Sequence, residues 1–337
     1  MALGTTAGGS RKMDNPHIIV LGRAGLDLYP DPPGTKIEDA LTFTSALGGS
    51  SGNIAAGLGR LGSRVSLLGR VSDDAVGKYT LNQCAPYGIG TDNVVVERSE
   101  VRTTLALSET RTGDTQTVIY RNDAADLNLQ VEDVEWVEWE TVNALIFTGT
   151  SLAKEPSRTA TLTAIDMAKA HGITVMFDVD HRAYSWASVE EAAQVCGAAA
   201  EKCHIIIGND DEFGVLAGDY DKGRAHAEAL ATDGRICVYK RGADGSITFD
   251  GSGGDGRDGD SFDTGIYPVT AIKPTGAGDA FMASFAHNFM RDVDLRTCVA
   301  RGSAAAAIVV TRVGCAPAMP TEIELADFMS APSSQTA

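Results

Sequence analysis

The chain has 337 residues, 43% of them hydrophobic, enough to bury a substantial core as one large α/β domain or as two of more usual size. Its formal net charge of −17 excludes nucleic acid or an anionic membrane as the main partner, since both need basic surface. An anionic small molecule stays open, because a few local cations suffice to hold one.

Six cysteines (Cys84, Cys196, Cys203, Cys237, Cys298 and Cys315) carry no CxxC spacing and read as reduced core thiols of a cytoplasmic protein. The N-terminus lacks the apolar stretch of a signal peptide, and the longest apolar run, Ala304–Val310, is too short to span a bilayer. Residues 1–15 and 331–337 are small and polar and read as disordered tails around a single domain at 16–330.

In chain order, strand patterns at Ile18–Leu21, Val65–Leu68, Ala144–Phe147, Thr174–Phe177, Ile205–Ile207 and Ile236–Tyr239 alternate with helical ones. The helices are expected at about Gly52–Leu61, Asp74–Tyr87, Ser157–His171, Val189–Lys202 and Arg224–Ala231. This alternation predicts a doubly wound, mainly parallel sheet with helices on both faces. Two helices, Gly278–Asn288 and Leu295–Val309, close the chain. Residues 27–47 and 101–126 include strand-like runs with no intervening helix and predict a small second sheet, a lid over the site. Ser252–Asp260 reads as a loop joining two strands; its likeness to a calcium-binding nonapeptide is solitary and incomplete.

The segment richest in chemistry is Thr275-Gly276-Ala277-Gly278-Asp279, a tight turn feeding a helix. Free N–H groups and the positive end of the helix dipole make such a turn collect negative charge. An aspartate there is awkward as an anion ligand and sensible as a base. Gly48-Gly49-Ser50-Ser51-Gly52-Asn53 offers backbone N–H groups and an amide to a polyhydroxylated ligand, or else an ordinary cap by Ser50 or Ser51. Gly57–Gly62 spells GxGxxG but falls on a helix and its stop rather than on a strand-to-helix turn, so the dinucleotide reading fails.

Gly48–Gly62 and Thr275–Asp279 together resemble the paired signature of the ribokinase-like (PfkB) carbohydrate kinases. Asn209-Asp210-Asp211-Glu212 is similar to the family's N-x-x-E motif, and Lys240–Gly245 to its nucleotide-binding turn. The likeness runs in order from about residue 17 to 328. Within the family, Gly22–Leu28, Tyr120–Asp126 and Asp178–Trp186 look like the members acting on keto-deoxy sugar acids.

The resemblance implies ATP-dependent phosphorylation with Mg²⁺. Asp279 would deprotonate the accepting hydroxyl while Gly276, Ala277 and Gly278 hold the transferring phosphate. Asp27, Gly48, Gly49 and Asn53 would bind the sugar, and Arg121 and Arg182, each also able to form a structural ion pair, its carboxylate. Asn209, Lys240, Gly242, Gly245 and Ala307 would line the nucleotide, with small residues around 304–307 flanking adenine. Glu212 would order Mg²⁺ through water. Many members carry an aspartate where this chain has Lys273, helping to bind an activating potassium ion. An ammonium there predicts that K⁺ is not required, Lys273 standing in for the ion; the alternative is that Lys273 points to solvent and the ion site is lost or rebuilt from backbone carbonyls. Members often pair through their lids, which makes a homodimer possible. A non-catalytic sugar-binding regulator is the opposing reading, and the intact turn and aspartate count against it.

Overall fold

Every residue of His17–Leu21 is buried, and alternate side chains serve different cores. Ile19 and Leu21 pack into one apolar cluster, Ile18 and Val20 into another. A parallel strand covered on both faces requires this division. The structure, a computed structural model, describes residues 15–253 and 260–331. The expectations for the tails fall outside those residues except at Asn15 and Ala331, and Asn15 is anchored, its carboxamide oxygen accepting from Arg64 N at 3.1 Å. Most of the Gly/Asp-rich loop, residues 254–259, also lies outside them.

The strands in chain order are β1 (His17–Leu21), β2 (Gly25–Asp31), β3 (Thr42–Gly48), β4 (Arg64–Ser72), β5 (Ile89–Glu97), β6 (Leu105–Ser108) and β7 (Thr117–Tyr120). There follow β8 (Ala144–Thr148), β9 (Thr174–Asp178), β10 (Ile205–Asn209), β11 (Ile236–Lys240), β12 (Ser246–Asp250) and β13 (Asp260–Thr264). The main sheet runs β13-β12-β11-β10-β9-β8-β1-β4-β5, parallel from β11 to β5, with β12 and β13 antiparallel at one edge. A second sheet, β3-β2-β6-β7, gathers the helix-free stretches, with β2 parallel to β6 and the outer pairs antiparallel.

The helices are α1 (Ser50–Arg60), α2 (Ala75–Cys84), α3 (Val131–Glu135), α4 (Ser157–Ala170) and α5 (Val189–Ala200). Next come α6 (Asp210–Ala217), α7 (Gly223–Thr232), α8 (Ala277–Phe289), α9 (Leu295–Val310) and α10 (Glu322–Ser330). One face of the main sheet is covered by α4, α5, α6 and α7, where Phe147 stacks on Phe177 at 4.6 Å between centroids. Such a pair adds about 0.5–1.5 kcal/mol beyond its area burial. The other face carries α1, α8 and α9. There Gly57 lets α1 and α8 close up, since a Cβ would stand 2.6 Å from Ala283 Cβ.

Several expectations are corrected. The chain closes with three helices, not two, because α10 starts from a capping box of Thr321 and Glu324. α6 is a further helix beyond those expected, and its Asn209–Glu212 cap also forms a box. α1 begins at Ser50 with Gly49 as its N-cap, and neither serine caps it. Ser51 Oγ instead donates to Leu21 O at 3.0 Å, and Ser50 Oγ faces Thr148 Oγ1. All six cysteines are buried and none is in a disulfide. Among the described residues no helix is long and apolar enough to cross a membrane.

Candidate active site

A cleft of about 840 Å³ opens between the carboxyl ends of the main-sheet strands and the small sheet. In doubly wound proteins that edge is where ligands bind, and the volume suits small-molecule ligands. Its floor is the start of α8. Gly276 is the N-cap with φ +85, and a Cβ there would press on Cys315 Sγ at 3.0 Å and Val309 Cγ1 at 3.1 Å. Ala277 and Gly278 follow with their N–H groups in the first, unpaired turn, and all three residues line the cleft.

Asp279 sits in that first turn, and its Oδ2 accepts from Asn53 Nδ2 at 2.8 Å across a sequence separation of 226 residues. Surrounding protein desolvates the carboxyl and Asp180 repels its charge, while Asn53, Arg182 and Arg23 favour the anion. Its pKa rises to about 7. A carboxyl poised near neutrality serves a general base well. On the small-sheet side, Asp27 is buried, its Oδ2 accepting from Tyr29 Oη at 2.9 Å, and Tyr29 Oη accepts from Cys315 N. Burial raises its pKa against the opposing pull of Tyr29, Arg23 and Lys273. Gly48 does not line the cleft itself. It makes room for Asp27, since a Cβ would lie 1.9 Å from the Asp27 Oδ1. Gly49, at φ +83, does line it.

The cations differ in how far the fold already satisfies them. Arg121 does not line the cleft. Its Nε and Nη2 donate to Asp126 Oδ2 at 2.9 and 2.6 Å, and Nη2 also reaches Thr150 O at 2.9 Å. The expectation that it meets a ligand carboxylate is corrected: the structural pair with Asp126 has taken it. Arg182 reaches the cleft, half-exposed, while paired with Asp180 at 2.7 Å. Lys240 points its Nζ over the Phe281 ring, 3.5 Å from where a Gly278 Cβ would stand, so it adds positive charge beside the turn. Lys273 is fully buried and donates to Thr275 O, the carbonyl entering the turn, which rules out the solvent-facing alternative. Burial lowers its pKa, and Cys315, Asp279 and Asp27 oppose that.

Asp178, Asp180 and Glu212 form an acidic group on the opposite wall. Burial raises Asp178 and Glu212 above the usual carboxylate range; Lys240 opposes this, and the neighbouring carboxylates add to it. Asp180 Oδ2 is buried with no partner. Buried, mutually repelling carboxylates with an orphan oxygen fit a hydrated divalent cation, although among the described residues no group of three is close enough to ligate one directly. Asn209 Oδ1 is occupied by Glu212 N at 2.8 Å, and Glu212 Oε2 by Asn209 N at 2.7 Å.

Toward the β11 end, Gly242 at φ +55 and Gly245 at φ +77 line the cleft, and a Cβ on Gly245 would collide with Thr264 O at 2.1 Å. Ala306 and Ala307 face the cleft, whereas Ala304 and Ala305 are core residues of α9, which narrows the expected stretch of small residues. Sequence reasoning missed Ile266, Tyr267 and Val269, an apolar wall in a segment without periodicity, and it missed Arg23.

The chain matches the model of the pfkB family carbohydrate kinases over residues 15–322. It belongs to that family and is a carbohydrate kinase, a phosphotransferase. A 5-dehydro-2-deoxygluconokinase of Geobacillus kaustophilus is 36% identical over 317 residues, 92% of either chain. The fold is that of a Vibrio cholerae fructokinase solved with fructose, ADP and a potassium ion, at TM-score 0.81 and 21% identity over 94% of this chain and 98% of that one. An Escherichia coli protein provisionally assigned as ribokinase II, in complex with ATP and Mg²⁺, matches at TM-score 0.80 and 19% identity over 93% and 99%.

Proposed function

We propose that the protein transfers the γ-phosphoryl group of ATP to the primary C6 hydroxyl of 5-dehydro-2-deoxygluconate, as a cytoplasmic step of myo-inositol catabolism. The observation that carries the chemistry is Asp279, with a pKa of about 7, held by Asn53 beside three backbone N–H groups. The substrate is supported by the relative's name and by the cleft's arginines.

Asp279 takes the hydroxyl proton as the oxygen attacks phosphorus and ADP departs. The N–H groups of Gly276, Ala277 and Gly278, with Lys240, stabilise the charge that develops on the transferred oxygens. Asp27, Gly49 and Asn53 orient the sugar hydroxyls, and Arg182 contributes positive charge at the mouth. Asn209, Gly242, Gly245 and Ala307 hold the nucleotide against the apolar wall of Ile266 and Val269. Glu212 and Asp180 would hold Mg²⁺ through its waters, where the ion neutralises phosphate charge. The small sheet acts as the lid that excludes water. Lys273, buried against the turn, supplies the charge that a potassium ion supplies elsewhere, so no potassium is required. Exposed Leu41, Val118 and Tyr120 on or beside the small sheet favour a homodimer through it, which light scattering tests.

A coupled ADP-release assay over sugars and sugar acids tests the reading. Turnover should be greatest by at least tenfold on 5-dehydro-2-deoxygluconate. A preference for 2-keto-3-deoxygluconate, fructose or ribose would reassign the substrate, and no turnover on any would favour a sugar-binding regulator.

A further inference from the structure

Arg23 stands between β1 and β2 on a backbone clamped by α1. Gly52 N donates to Arg23 O at 3.1 Å, and a Cβ on Gly49 would stand 2.5 Å from that same oxygen. The residue is only 6% exposed, yet it lines the cleft. Its Nε is buried with no hydrogen-bond partner. Among the described residues no carboxylate lies within 4.0 Å of its guanidinium, whereas Arg121 and Arg182 are each paired. Its field reaches Asp27, Asp126 and Asp279 without contact with any of them.

Burying a guanidinium nitrogen without a partner is costly, a cost that an anionic ligand on the remaining, cleft-facing nitrogens would offset. Gly49 packs against the Arg23 carbonyl and Asp27 lies within reach of its charge, both proposed above to orient the sugar, whereas Ile266, Val269 and Ala307, proposed to hold the nucleotide, belong to other elements. We infer that Arg23 is the specificity-determining residue of the site, receiving the substrate's carboxylate in a charge-assisted, fork-shaped contact. This rests on the sugar-acid reading above.

The test is steady-state kinetics of wild type, Arg23→Gln and Arg23→Lys on 5-dehydro-2-deoxygluconate and on its neutral counterpart carrying a C1 alcohol. The KM for ATP and the ligand-free melting temperature are measured alongside. Wild type should prefer the acid. Arg23→Gln should raise KM for the acid about 10- to 100-fold, the loss of one charge-assisted contact, and that for the alcohol less than about threefold. The KM for ATP should stay within about twofold, Arg23→Lys should recover part of the loss, and Arg23→Gln should melt no lower than wild type. Wild type without acid preference would overturn the sugar-acid reading, and this inference with it. An acid preference that survives Arg23→Gln would overturn the inference alone. So would an Arg23→Gln protein that fails to fold, since the guanidinium would then be structural.

Discussion

Behind the small sheet and on the cleft floor, the molecule treats buried charge in opposite ways. Behind the sheet, the Asp126 oxygens accept from Arg121 and Thr104, and Arg121 also reaches a backbone carbonyl. Burial alone would raise Asp126, but those bonds hold it below the usual carboxylate range. Around the floor, Asp279 has one amide donor and sits near 7, Asp180 and Asn53 each keep an orphan oxygen, and among the described residues the Arg23 guanidinium has no hydrogen-bond or carboxylate partner. The first region is complete as folded. The second leaves groups free to meet what the cleft binds.

The comparison breaks first at Asp279. Asp279→Asn keeps the shape and the Asn53 contact region while removing the base, and turnover should fall by about 10²- to 10⁴-fold, read as initial rates at saturating ATP and sugar acid. The fold should survive. The raised pKa of Asp279 means its stabilising contribution is fully present below the usual aspartate value and is lost as pH rises through about 7. The wild-type melting temperature should therefore drop relative to the variant across that window, and a parallel pair of curves would show that Asp279 is not buried at cost.

Gly48 sharpens the same contrast from the side. Adding a Cβ there pushes on Asp27, so Gly48→Ala should cost about 1–3 kcal/mol of stability and raise KM for the sugar more than that for ATP. Unchanged sugar KM would remove Asp27 from the substrate site.

The pH profile gives a smaller effect. The kcat/KM for the sugar acid should fall tenfold per pH unit below the pKa of Asp279, near 7 in the free enzyme; a flat acid limb would assign the base elsewhere. Potassium gives the smallest. With Lys273 fully buried against Thr275 O, replacing a bulky organic cation by KCl should change the rate less than twofold, whereas severalfold activation absent with sodium would refute the stand-in role.

The doubly wound sheet was legible because period-two and period-3.6 patterns are local, and Gly276 and Asp279 because a turn feeding a helix is local too. Which arginine meets the ligand was not. Arg121 and Asp126 lie five residues apart and pair with each other, a contact that sequence position allowed but could not decide against the cleft. Arg23 stands out among the described residues because its guanidinium is buried with no hydrogen bond or carboxylate partner, and that absence exists only in three dimensions. The wall of Ile266 and Val269 was hidden likewise, since an irregular segment carries no period to read.

Chemical denaturation of Arg23→Met beside Arg121→Met, both without ligand, tests the central contrast most directly. Removing Arg121 leaves Asp126 buried and alone, which should cost about 3–5 kcal/mol. Removing Arg23 takes away an unpartnered charge and should leave stability within about 0.5 kcal/mol of wild type or above it. Equal losses in the two variants would contradict the account, because they would mean that the cleft's charge, like that behind the small sheet, already belongs to the fold.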